Sequence, residues 1–232
     1  TKLDALKDEF VDLVSHELRA PLTNINASVE LLLARVQEDR DREKLEIIGH
    51  EASRLTRLVQ SVLDISRMEA GRLELLAAPV RVDELCRDAV HVVGAVHDDR
   101  EWHVHVDANT PAVLADADRA KQVLCNLLEN AAKYSPNDTP VELAARPVPE
   151  EASVLFTVAD RGVGIPDEEL EQVFERFHRV ERGDARETYG HGLGLYIARK
   201  IVDSHGGRMW VESQLGSGAT FLFTLPAAPE EP

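Results

Sequence analysis

The chain is poor in cysteine, in basic residues and in long apolar runs, and each shortage closes off a class of protein. Two cysteines, Cys86 and Cys125, are too few for a disulfide framework; both fall in apolar helical patterns and read as buried free thiols. Only 26 Lys and Arg stand against 42 Asp and Glu, a net charge of −16. Such a balance argues against nonspecific binding to nucleic acid or to an anionic membrane, which needs clustered basic residues. No apolar run approaches the ~20 residues that cross a bilayer, and no signal peptide is recognisable. Internal repeats are absent, as is the phosphate-binding pattern G-x-x-x-x-G-K-[ST]. Thr1 opens directly on a helical pattern, so the chain reads as a fragment of a longer protein, with upstream segments, membrane-spanning or not, left out.

What is present is an ordinary soluble composition, 44% hydrophobic and 29% charged over 232 residues, enough for one large or two modest domains. The first seventy residues predict two long helices. Leu6, Phe10, Val14, Leu18, Leu22, Ile25, Val29, Leu32 and Val36 step by threes and fours. After a polar break at 37–43, Leu45, Ile48, Ala52, Leu55, Val59 and Val62 repeat the pattern, and Ile47, Leu58, Leu63 and Ile65 widen the face. One helical hairpin cannot bury faces this wide. Either the rest of the chain covers them or a second copy does; the reading taken is a homodimer with a four-helix bundle. Gly71 predicts the end of the second helix, and 71–80, with Pro79, reads as a linker or short strand.

From Arg81 the pattern changes to alternating helices and strands. Helices are expected over 82–97, 116–134 and 192–205, and strands over 101–106, 112–114, 141–145, 154–160, 208–213 and 219–225. This predicts an α+β sandwich, a mixed sheet covered on one face by helices. A long polar stretch between Gly162 and Gly194 is expected to be functional, and the tail 227–232 to be frayed.

Four stretches carry chemistry. In SHELRAPL, 15–22, His16 lies roughly 200° round the helix from both Val14 and Leu18, outside the apolar stripe. A neutral imidazole is a competent nucleophile, and Glu17 stands beside it to orient it or take its proton. Pro21 removes a hydrogen bond to the Glu17 carbonyl and loosens the helix there. Most surface histidines do nothing, so this stretch needs support from elsewhere. In QVLCNLLENAAKYSP, 122–136, Asn126, Asn130 and Lys133 share a helix face, suited to phosphates and a hard cation or simply to solvent. In DRGVGIP, 160–166, Asp160 ends an apolar strand and can accept a hydrogen bond from an amino group, while Gly162 and Gly164 permit close backbone approach; alone this is weak evidence. Finally FERFHR, 174–179, precedes GHGLGLYIARKIVDSHGG, 190–207, where glycines lead into a helix whose free N–H groups favour phosphate. His103 and His105 share a strand face, but no further metal-ligand cluster is visible beside them.

In this order the motifs resemble the transmitter module of bacterial sensor histidine kinases, over residues 1 to about 226. SHELRAPL is similar to the phosphoacceptor box, NLLENAAKYS to the asparagine box, DRGVGIP and GHGLGL to two glycine boxes, and FERF to the phenylalanine box. The resemblance implies a dimerisation and phosphoacceptor domain over 1–70, a linker over 71–80 and an ATP-binding domain over 81–226, of the fold shared with gyrase and mismatch-repair ATPases. It implies that His16 receives the γ-phosphoryl group of ATP, with Glu17 as base or orienting group. Asn130 would bind Mg²⁺ and Asn126 support it. Lys133 would contact phosphates, Tyr134 pack near the adenine and Asp160 bind its amino group. Gly162 and Gly164 would shape the pocket and Gly190, Gly192 and Gly194 the lid, with Arg176 near the γ-phosphate. The implied partner is a response regulator receiver domain, and the implied location is cytoplasmic, as part of a soluble or membrane-bound sensor. A nucleotide-binding scaffold without transfer, or a stand-alone ATPase of the gyrase kind, are the other readings.

Two positions depart from the family pattern. Ala20 stands four residues after His16, where Thr or Asn is common and helps place water for dephosphorylating the regulator; Ala20 cannot hydrogen-bond. The expectation is a weak phosphatase with kinase activity kept. His191 stands where Thr is frequent, with a modest effect on the lid expected.

Overall fold

A computed structural model describes residues 22–23, 25–29, 32–33, 39–69, 75–178, 180 and 192–229. It divides into two compact units, Thr1–Leu73 and Glu74–Pro232.

In the first unit, the described residues before position 34 are helical, and α1 spans Asp39–Glu69. The helix therefore starts inside the polar stretch expected to be a break. Arg, Lys and Glu are good helix formers, and the Asp41 carboxylate favours an N-terminal turn; Lys44 donates to Asp41 at 3.1 Å. Leu22, Val29, Ala52, Leu63 and Ile65 are buried. A Cβ added to Gly49 would lie 3.2 Å from Val29, so the two helices approach closely at that glycine.

The second unit begins with β1 (Ala78–Val80) and α2 (Val82–Gly94). Then come β2 (Trp102–Val106), β3 (Val113–Ala115), α3 (Ala117–Tyr134), β4 (Val141–Val148) and β5 (Ser153–Ala159). It closes with α4 (Gly194–Ser204), β6 (Met209–Ser213) and β7 (Ala219–Pro226). β1 and β3 pair antiparallel, and the other strands form a five-stranded mixed sheet ordered β2-β4-β5-β7-β6 in which only β2–β4 is parallel.

Register explains the core. Leu143, Val158, Phe221 and Val211 form one row, which ends on the exposed Val104 of the edge strand β2, and Val106, Ala145, Phe156, Phe223 and Met209 form the next. Phe156 and Phe223 stack with ring centroids 4.7 Å apart. Strand periodicity puts both rows on one face, where α3 contributes Leu124, Leu127 and Leu128 and α4 contributes Ile197 and Ile201, all buried. The stretch after Gly162 holds two 3₁₀ turns, Asp167–Glu169 and Gln172–Phe174. Phe174 anchors the second, edge-on to Phe221 at 6.3 Å. The start of the tail is tied rather than frayed: Ala227 N–H donates to the Ala152 carbonyl and Ala228 N–H to the Ala112 carbonyl. No described helix is long and apolar enough to cross a membrane.

Candidate functional site

The site is built on α3. Its N-cap is Asp116, whose carboxylate accepts from the Arg119 N–H at 3.2 Å. Its apolar face, with Val123, Leu124, Leu127 and Leu128, is buried. Asn126, Asn130 and Lys133 are half-buried, as expected of a shared face at the border of the core. Asn126 Nδ2 donates to the Gly194 carbonyl at 3.1 Å, so the asparagine stretch meets the first residue of α4. Lys133 Nζ donates to the Tyr134 hydroxyl at 3.1 Å and lies 4.7 Å from the centre of its ring.

At its other end α3 meets the turn after β5. Asp160 Oδ1 accepts from the Gly162 N–H at 2.7 Å and from the Ser135 hydroxyl at 3.3 Å. Burial pushes the Asp160 carboxyl above its ordinary value; the Gly162 and Ala219 amides, the Ser135 hydroxyl and the Arg100 charge pull the other way. Gly162 and Gly164 are needed by the chain itself. A Cβ at Gly162 would lie 2.5 Å from the Tyr134 carbonyl oxygen; at Gly164, where φ is +69°, it would lie 2.1 Å from that of Gln214. Stretches 126–135, 160–164 and 192–194, far apart in sequence, thus converge along one helix.

The remaining predicted residues are placed as follows. Gly192 has φ +65°, and a Cβ there would press on the backbone of Phe177 and His178. Phe177 N–H donates to the Gly192 carbonyl at 2.9 Å, which ties Gly192 to the end of the phenylalanine stretch. Gly194 has room for a side chain, its Cβ meeting only Asn126 at 3.8 Å. Leu193, the N-cap of α4, supplies no side-chain bond to its first turn, whose amides are the kind of donors that suit an anion. Arg176 donates to the Tyr196 hydroxyl at 3.0 Å and stacks on its ring. It lines an open cleft of about 360 Å³ together with Phe174, Arg199 and Lys200, and none of Asn126, Asn130, Lys133 or Asp160 borders that cleft. His16, Glu17, Ala20, Pro21, Gly190 and His191 lie outside the described residues.

Cys86 is buried, but Cys125 is only half-buried. Burial nonetheless pushes their thiols up to about 12 and about 11, leaving both protonated at neutral pH and unfit as nucleophiles. His103 and His105 each pair with their own carboxylate, Glu101 at 2.9 Å and Asp107 at 3.1 Å. Among the described residues no group of three or more His, Cys, Asp or Glu is arranged to hold a metal ion.

Sequence reasoning missed Arg100. It is buried, and its guanidinium donates to the carbonyls of Ala132, Ser135, Pro136 and Thr139 and to Asn137. It thereby caps the C-terminus of α3, next to Asp160. A lone arginine in a charged loop gives no local signal of partners more than thirty residues on.

Comparison with known proteins accords with this architecture. Residues 115–229 match the family described as histidine kinase-, DNA gyrase B- and HSP90-like ATPase, and residues 6–71 match the His Kinase A (phospho-acceptor) domain. The chain is 35% identical to the sensor histidine kinase WalK of Bacillus subtilis, over 99% of this chain and 38% of WalK. It is also 35% identical to the adaptive-response sensory kinase SasA of Thermosynechococcus vestitus, over 95% of this chain and 60% of SasA. Among solved structures, full-length ShkA in complex with AMPPNP superposes with a TM-score of 0.79 at 31% identity, over 96% of this chain and 46% of ShkA. The chain thus spans less than two thirds of the length of these relatives. With both of its parts matched in order, the chain belongs to the sensor histidine kinases, with a phosphoacceptor region followed by an ATPase-type domain.

Proposed function

We propose that this chain binds ATP in its second unit, transfers the γ-phosphoryl group to His16 and passes it on to an aspartate of a response regulator. The observation that carries the ATP site is the convergence of the asparagine helix, the Asp160 turn and the α4 N-terminus, through Asn126–Gly194 and Ser135–Asp160. The Asp160 carboxylate is the acceptor for the adenine amino group, beside Gly162 and Gly164. The first amides of α4 face the phosphates, with Gly190 and Gly192 in the lid. Lys133 reaches phosphate by leaving Tyr134, which turns toward the adenine, and Arg176 reaches the γ-phosphate by leaving Tyr196.

The donor set suits Mg²⁺, an ion that is normally held by few protein oxygens and completed by substrate phosphates and water. The half-buried Asn130 amide is its protein ligand, supported by Asn126, and it would neutralise charge on the phosphates when bound. In the transfer, an imidazole nitrogen of His16 donates its lone pair to the γ-phosphorus. The bond from that phosphorus to the β–γ bridging oxygen breaks and ADP leaves with its electrons. Glu17 takes the imidazole proton. Positioning and charge neutralisation carry most of the rate. ATP as donor places the reaction in the cytoplasm, and the functional boundaries proposed are 1–70, 71–80 and 81–226.

Incubation with γ-labelled ATP tests the proposal. The expected product carries an acid-labile, base-stable label that His16→Gln abolishes. Nucleotide binding with no label in the wild-type chain would instead mean a scaffold. The chain is also a poor phosphatase toward its regulator, because Ala20 offers no group to hold water. Ala20→Thr is expected to raise ADP-stimulated dephosphorylation of the phosphorylated regulator; an equal rate in both chains rejects this role for Ala20.

A further inference from the structure

His205, just past α4, belongs to none of the roles above, yet its side chain is fully engaged. It is 9% exposed. Its Nδ1 lies 2.8 Å from the Ile201 carbonyl oxygen, and its Nε2 lies 3.0 Å from the Asp116 backbone N. A carbonyl only accepts and an amide N–H only donates. Nδ1 must therefore carry the proton and Nε2 the lone pair, which fixes a neutral imidazole in one tautomer. Asp116 is the N-cap of α3.

The two helices run antiparallel and are clamped twice. One clamp is Asn126 to Gly194, inside the nucleotide site; the other is His205 to Asp116, at the far end. From Asp116 to Asn126 along α3 the span is about 15 Å, and from His205 to Gly194 along α4 about 17 Å. α4 cannot slide or tilt along α3 without breaking one clamp. The turn that delivers His205 is itself fixed: Gly206 N–H donates to Asp203 and Gly207 N–H to Val202, with φ +75° at Gly206. A Cβ on Gly207 would lie 1.9 Å from the Thr224 carbonyl oxygen, so this turn is seated directly against its neighbour. An apolar residue would fill the same space without the two bonds to helix ends.

We infer that His205 is a positioning residue for the nucleotide site: through Asp116 it holds α4 in register with α3, so that Gly194 and the amides that follow meet the phosphates. This rests on the ATP-binding reading above. The Asp116 carboxylate also accepts from the Leu76 N–H at 3.1 Å, so the same N-cap holds the segment leading into β1.

The test uses the full chain. His205→Leu keeps bulk and loses both bonds; His205→Gln keeps an acceptor near the place of Nε2. His205→Leu is expected to raise KM for ATP in autophosphorylation by roughly fivefold to tenfold, the scale of one net hydrogen bond. The rate at saturating ATP is expected to stay within about twofold, and His205→Gln to restore KM to near wild type. A leucine variant with wild-type KM overturns the proposal, whatever its thermal stability. A second measurement needs no variant. By reciprocity of coupling, ADP must strengthen the far clamp, so hydrogen exchange at the Asp116 amide must slow when ADP binds the wild-type chain. Unchanged exchange with ADP bound overturns the proposal even if His205→Leu fails to fold. A wild-type chain that binds no nucleotide at all fails earlier, at the reading of the site itself.

Discussion

Burial and hydrogen bonding oppose each other at the Asp160 carboxylate, and burial prevails. Because its folded value is raised, the folded chain keeps a proton that the unfolded chain has already released. Asp160 therefore takes stability away as pH rises from the ordinary carboxylate value of 3.8 through the raised value, and the loss is constant above it. A carboxylate kept against stability, beside glycines that shape a turn, is what a ligand-binding residue looks like. Asp160→Asn keeps an oxygen for Gly162 and Ser135 and removes the charge. Urea unfolding should give a midpoint at or above wild type, while ATP affinity falls by roughly tenfold or more, the scale of a hydrogen bond to a charged group. Affinity of the wild-type chain should weaken on acidification with a midpoint above 3.8, and the asparagine variant should lack that step. Binding titrations at several pH values measure both, and equal affinities for the two chains would remove Asp160 from the site.

At the scale of the element, α3 is held at both ends by groups outside itself. Asp116 caps its start, and Arg100 gathers the carbonyls of its last turn. A cation at a helix C-terminus is favourable to the dipole, and here it is buried among acceptors placed for a planar fork. Arg100→Leu leaves those carbonyls without their donor and should cost on the order of 3 kcal/mol in urea unfolding. Arg100→Lys keeps the charge but not the fork and should recover only part; a lysine variant as stable as wild type would refute the fork account. Legibility follows the same division. The apolar stripe of α3 and the alternation of Val141, Leu143 and Ala145 are local periods, so they could be read from the sequence. The extension of that strand past Ala145 was not read, because Arg146 and Pro147 interrupt the alternation. The structure continues β4 to Val148 because β2 stops opposite Ala145, which leaves Pro147 on an edge, where proline is tolerated. The Arg100 and His205 bonds join residues 32 to 89 positions apart and have no period to betray them. The motifs were legible in the sequence; which of them touch was not.

For the whole molecule, the question is what covers the first unit. Ile48, Leu55 and Val62 stand seven residues apart on α1 and remain 47%, 47% and 37% exposed in the single chain. Ile25 and Leu32, also seven apart, are exposed on the preceding helical segment. Apolar residues at intervals of seven on both helices form a seam of the kind that pairs helices of separate chains. Covering the exposed remainder would contribute roughly 1 kcal/mol per side chain, about half of full burial. Over five residues on each of two chains, that is about 10 kcal/mol before the cost of association. A second copy would complete the four-helix bundle expected from the sequence. Leu55→Glu places a charge at the middle of the α1 seam, where its desolvation is least affordable. The variant should sediment as a monomer at concentrations where the wild-type chain sediments as a dimer. Its ATP affinity should be unchanged, because Asn126, Asp160 and Gly194 belong to the other unit. Autophosphorylation of that monomer then separates the two routes of transfer: labelling that persists at wild-type rate in dilute solution means His16 is served by its own chain, and labelling that vanishes means it is served by its partner's.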